Sequence, residues 1–202
     1  MNTPEPTRPV VLTDRYAQAV QYASTIHADH TRKGTGIAYM SHWLGVSSLV
    51  IEAGGNEDQA IAGLLHDAVE DAGGLPRAAD IAERFGKTVV EIVLACSDST
   101  DEQVKAVQDW KERKQAYLDR IEDEPMEALV VTIADKVHNA RAVVTDLQQH
   151  GPEVLGKFNG SPHDILWYYH ACLNIAKDRE VTPTLVLPLE TAVSEISSYL
   201  RG

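Results

Sequence analysis

Residues 63–74 read GLLHDAVEDAGG, in which His66, Asp67, Glu70 and Asp71 interrupt an apolar run that ends in two glycines. Extended back to residue 57, Ile61, Leu64, Leu65, Ala68 and Val69 recur at three and four positions, so the spacing predicts a helix over 57–72. On such a helix His66 with Glu70, and Asp67 with Asp71, are i, i+4 pairs on the side away from the apolar stripe. Carboxylates crowded into a turn and a half repel one another by a few tenths of a kcal/mol per pair even when exposed. A bound cation reverses that sign.

The same periodicity runs outward in both directions. Tyr16, Ala19, Val20, Ala23 and His27 follow helical spacing, and strand-like alternation is nearly absent. Gly54-Gly55, Gly73-Gly74 and Gly151-Pro152 read as helix stops, whereas Asn56 with Gln59, and Glu124 before Pro125, read as starts. The predicted architecture is all-α, a bundle of about eight helices near 14–30, 41–53, 57–72, 76–85, 87–96, 104–122, 125–149 and 162–179, with a further one over 184–200. The first part of SDSTDEQVKAVQD, after Cys96, lacks an apolar stripe and reads as a loop. Residues 1–12 are expected to form a flexible tail, and 13–202 a single domain.

Composition narrows the function classes. A chain of 202 residues with 44% hydrophobic content can bury a substantial core. Its two cysteines, Cys96 and Cys172, are too few for a disulfide framework or a thiolate metal site and read as core thiols in a reducing cytoplasm. No apolar run reaches the roughly 20 residues of a membrane helix, and the N-terminus lacks the order of a signal peptide. The net charge of -12 disfavours a nucleic-acid partner, because duplex binding depends on an array of Lys and Arg. Self-association into a homo-oligomer is compatible with this composition.

Not every His-Asp pair signals chemistry. In SPHD, Ser161 is placed as N-cap with Pro162 at the first helical position and Asp164 at the third, a capping box that accounts for His163-Asp164 without a metal. His66-Asp67 falls in mid-helix and has no such explanation. Two other segments supply partners for it. RKGTGIAYMSHW puts Arg32 and Lys33 on a glycine-rich turn and His42 at the start of the next helix. TIADKVHNARAV puts Asp135, His138 and Asn139 on one helical face within an apolar run, and a buried Asp needs a partner or a metal.

Taken in order, HADHTRKGTGIAYMSH, GLLHDAVEDAGG and IADKVHNAR resemble the H…HD…D signature of the HD-domain metal-dependent phosphohydrolases, over about Tyr16 to Leu147. Within that group the resemblance is to small alarmone hydrolases and the hydrolase halves of stringent-response synthetase-hydrolases. It implies one divalent metal ion, with His42, His66, Asp67 and Asp135 as its ligands. It implies Glu70 and Asp71 as the catalytic acids, and Arg32, Lys33 and Asn139 as substrate contacts, with Arg113 and Lys114 of WKERKQAYL as further phosphate contacts.

Two imidazoles and two carboxylates suit Mn²⁺ without excluding Fe²⁺, Mg²⁺ or Zn²⁺. Such an ion acidifies water and polarises a phosphoryl oxygen, and the acidic pair can take the proton. The implied reaction is removal of the 3′-diphosphate of ppGpp-type nucleotides as pyrophosphate. Two departures stand out. The Lys33-to-His42 spacing is one residue longer than usual, with Ile37-Ala38 replacing a common Pro, and Ala142 stands where many guanosine-specific members carry Thr. Adenosine alarmones of the ppApp type therefore stand beside ppGpp. An HD-type (deoxy)nucleotide phosphohydrolase and a non-catalytic alarmone-binding module are the alternatives. His27 and His138 read as packing residues or as supports for the ligands.

Overall fold

In the computed structural model, residues 10–97 and 109–201 are described. Ten α-helices and one 3-10 helix account for the regular structure among them: α1 Asp14–Ile26, α2 Met40–Glu52, α3 Glu57–Leu65, α4 Ala68–Asp71, α5 Gly74–Phe85, α6 Lys87–Cys96, α7 Trp110–Glu122, α8 Met126–His150, the 3-10 helix Pro152–Lys157, α9 Pro162–Asp178 and α10 Pro183–Arg201. The described residues contain no strand, only an isolated antiparallel bridge between Thr31 and Ala38. The all-α expectation holds. The tail over 1–9 and most of the loop after Cys96 lie outside the described residues, as does the start expected for a helix at 104.

The 25-residue helix α8 is the axis of the fold, because it is apolar on most of its circumference. It packs against α2, α3, α6, α9 and α10, and Leu129, Ile133, Ala134, Val137 and Ala140 are fully buried there. A satellite cluster of Tyr117, Leu118, Ile121, Tyr168 and Cys172 joins α7 to α9. At about 25 cal/mol per Å², each large apolar side chain buried in this way contributes roughly 1.5–3 kcal/mol. Sequence-level caps are realised: Asn56 with Gln59, and Ser161 with Asp164, both form reciprocal capping boxes.

Three boundaries differ from the sequence expectation. Helix α1 ends at Ile26 because residues 28–39 turn back on themselves: Arg32 N–H donates to Ile37 O, Tyr39 N–H to His30 O, and Gly34 takes φ +74° between them. Gly73-Gly74 does not only stop a helix, since Gly74 opens α5.

The third difference matters most. The helix expected over 57–72 is broken at His66-Asp67, where Asp67 adopts φ -94°, ψ -3° before α4 resumes. On a continuous helix the Cβ directions of consecutive residues diverge, which carries short side chains such as these away from a common point. The break allows both to aim at one point.

Candidate metal centre

Three helices bring four side chains together. His42, in the first turn of α2, and His66, at the end of α3, place their Nε2 atoms 3.2 Å apart. Asp67 Oδ2 lies 3.0 Å from His66 Nε2 and 3.5 Å from His42 Nε2. Asp135, in the middle of α8, places Oδ1 3.2 Å from His42 Nε2 and 3.6 Å from His66 Nε2. The ligand atoms of His42, His66 and Asp67 all lie within 4.8 Å of one another, a grouping that could hold a metal ion. His42 and His66 are almost wholly buried, and Asp135 nearly so.

The arrangement fits a small divalent ion on geometry and on donor chemistry. Ligands about 2.1 Å from one ion and at right angles lie about 3.0 Å apart, which matches these separations. His66 Nδ1 is 2.9 Å from Gly63 O, and a carbonyl only accepts, so a neutral His66 carries its proton on Nδ1 and presents a bare Nε2. Burial alone would push His66 down and the two carboxyls up. Attraction between the signs wins: His66 is held well above its ordinary value by Asp67 and Asp135, and Asp135 well below by Lys136, His42 and His66. Asp67 is likewise held well below, by His66 and His42.

The supporting residues fall into place around this core. Asn139 Nδ2 donates to Asp135 Oδ1 at 2.5 Å, and Arg32 donates to Asn139 Oδ1 at 2.9 Å, so two expected substrate contacts are chained to a metal-ligand candidate. Lys33, the next residue on the turn, is exposed. Glu70 is half-buried and Asp71 exposed on α4, directly after the His66-Asp67 break. The four polar groups of the stretch therefore do not share one solvent face as a continuous helix would require. Lys114 rides over the rings of Tyr117 and Tyr168. Lys136 lies on the same two rings and pairs with Asp135 Oδ2 at 2.6 Å, which links α7, the helix of Arg113 and Lys114, to the centre.

Sequence reading missed Tyr39 and Lys136. The Tyr39 hydroxyl donates to Asp67 Oδ2 at 2.5 Å, and burial followed by the Asp67 charge raises its pKa. The available signals were a tyrosine three residues before His42 and a lysine inside the apolar run around Asp135. His27 is buried against Tyr39 and shares a hydrogen bond with His30, as expected of a packing residue. Desolvation first, then His30, pushes it down to about 4. His138 is also pushed down to about 4, by burial first and then by His42 and Arg32. Cys96 and Cys172 are free thiols, the latter wholly buried.

Fold and donor set together define a class. The chain belongs to the HD domain family, which matches residues 19–156. Among curated proteins it is similar to a probable GTP pyrophosphokinase of Mycobacterium leprae, at 30% identity over 126 residues. It is also similar to the bifunctional (p)ppGpp synthase/hydrolase SpoT of Escherichia coli, at 27% identity over 131 residues. These alignments cover 62% and 64% of this chain but only 15% and 18% of those proteins. Among solved structures, a metazoan ortholog of SpoT, described as hydrolysing ppGpp and acting in starvation responses, superposes with a TM-score of 0.72 at 24% identity. That match covers 92% of this chain and 97% of the other, and it establishes the shared fold.

Proposed function

We propose that the chain is a metal-dependent alarmone hydrolase that removes the 3′-diphosphate of (p)ppGpp, (p)ppApp or both as pyrophosphate. The observation that carries this reading is the hydrogen-bonded series Arg32, Asn139, Asp135. It holds a guanidinium from the glycine-rich turn beside the four-donor cluster, so an anion drawn to Arg32 arrives next to the candidate metal ligands. The names of the relatives point to the same substrate class.

His42, His66, Asp67 and Asp135 would hold one divalent ion, Mn²⁺ being our choice for a mixed imidazole and carboxylate set. When bound, it supplies the Lewis acidity that polarises a phosphoryl oxygen and acidifies water. Glu70 and Asp71 orient the attacking water and take its proton. Arg32 and Lys33 hold the diphosphate, with Arg113 and Lys114 as outer cationic contacts. The water oxygen bonds to the phosphorus nearest the ribose, the bond from that phosphorus to the 3′ oxygen breaks, the 3′ oxygen takes up a proton, and pyrophosphate leaves. We read the enzyme as cytoplasmic, in keeping with a nucleotide substrate and free thiols. No helix among the described residues is long and apolar enough to cross a membrane.

The test is to offer ppGpp, ppApp, GTP and dGTP in parallel to the purified protein with Mn²⁺ and follow the products by anion exchange. Pyrophosphate release from an alarmone but not from GTP is the expected result, and the preferred alarmone decides the base. Cleavage of the ordinary triphosphates alone overturns the reading in favour of a nucleotidase. Metal binding without any cleavage overturns it in favour of a sensor.

A further inference from the structure

We propose that His138 is the positioning residue that fixes His42 as a metal ligand, and that Gly45 is glycine in order to admit it. This rests on the reading of His42 as a ligand. His42 Nδ1 and His138 Nδ1 lie 2.9 Å apart, with ring centroids 4.8 Å apart and planes at 59°. His42 Nε2 is the atom that faces His66 and Asp135. To offer a lone pair there, a neutral His42 carries its proton on Nδ1 and donates it to His138 Nδ1. His138 then carries its own proton on Nε2. The opposite arrangement puts a proton on His42 Nε2, where a cation has to bind.

The ring of His138 reaches this position only because α2 leaves room for it. A Cβ built on Gly45 would lie 2.3 Å from His138 Cδ2 and 2.4 Å from His138 Nε2. Gly45 and His42 are one turn apart on α2, so the helix that carries the ligand also carries the slot for its acceptor. Any side chain at 45 displaces the imidazole and leaves His42 Nδ1 without it.

The experiment is calorimetric titration of Mn²⁺ into the metal-stripped protein and into His138→Leu, His138→Asn, Gly45→Ala and the Gly45→Ala/His138→Leu double variant. Thermal midpoints of the metal-free proteins serve as the check on folding. Loss of a hydrogen-bond partner of a metal ligand typically weakens binding about 10–100-fold, and His138→Leu and Gly45→Ala are both expected to do so. His138→Asn keeps an acceptor at the Nδ1 position and is expected to recover most of the affinity, and the double variant to be no weaker than His138→Leu.

An equal loss in the Asn and Leu variants, or no loss in either, overturns the role of His138. Additive losses in the double variant overturn the role of Gly45. Absence of stoichiometric Mn²⁺ binding by the unaltered protein instead defeats the metal-centre reading itself. A measurement free of substitutions is the imidazole ¹⁵N spectrum of the Zn²⁺-loaded protein. His42 protonated on Nδ1 and His138 on Nε2 is the expected pattern, and the reverse tautomers overturn the inference.

Discussion

His42 Nε2 faces His66 Nε2 across 3.2 Å, although the two residues are 24 positions apart in the chain and belong to different helices. Two imidazole nitrogens at that distance share a proton or a cation, since two bare lone pairs repel. Their approach depends on how closely α2 and α3 pack, and on the carboxylates of Asp67 and Asp135 that flank them.

Asp67 supplies an oxygen that lies against both imidazoles. Asp67→Ala is expected to abolish Mn²⁺ binding and turnover together, and chelation of the unaltered protein to reproduce the loss. Glu70→Gln, by contrast, should leave the metal bound while slowing turnover by about 10²–10⁴-fold, the usual worth of a general base. Metal analysis of the purified variants alongside the rate separates the two. Turnover by metal-free Asp67→Ala would falsify the mechanism.

Tyr39 orients the same Asp67 oxygen through its hydroxyl. Removing only that hydroxyl, in Tyr39→Phe, should weaken Mn²⁺ binding by about 10-fold while the ring keeps its packing against His27 and His42. The reading is wrong if calorimetry finds the affinity unchanged.

Gly63 sets the spacing of α2 and α3. A Cβ there would lie 3.0 Å from Ser47 Cα and 3.2 Å from Ser47 N, both backbone atoms of a fully buried residue. Gly63→Ala therefore asks the α2 backbone to give by a few tenths of an ångström, is expected to cost about 1–3 kcal/mol, and should lower metal affinity along with the thermal midpoint. A midpoint no lower than that of the unaltered protein counts against this spacing role.

Glu124 is buried beside Thr132 with Oε1 lacking a hydrogen-bond partner, and burial pushes its pKa up to about 7 despite Arg120, Lys136 and Arg179. Its ordinary value is 4.5, so between that pH and about 7 the folded protein binds more protons than the unfolded chain. Stability therefore falls as pH rises through this window, by an amount on the order of 2–3 kcal/mol. Glu124→Gln is expected to flatten that part of the pH profile and to raise the thermal midpoint at pH 8 more than at pH 5. Parallel profiles for the two proteins refute the assignment.

Much of this molecule was legible in the chain itself. The three-and-four spacing of Ile61, Leu64, Leu65, Ala68 and Val69, and the Asn56 and Ser161 capping boxes, depend on neighbours within one or two turns. That is why helix content and most boundaries followed from sequence. The expected ligand set rested on the resemblance of the three ordered motifs, whereas what the residues themselves showed is that His66-Asp67 and Asp135 lie in apolar runs, where desolvation asks for a partner or a cation.

What only the tertiary structure decided is how those groups meet. The break at His66-Asp67 turns two divergent neighbours toward one point, where His42 of α2 and Asp135 of α8 meet them. Tyr39 on Asp67 and His138 on His42 are contacts across 28 and 96 positions of chain. Periodicity places a side chain on a face of its own helix, but hydrogen bonds form over about 3 Å. Only the close approach of separate helices sets distances of that size.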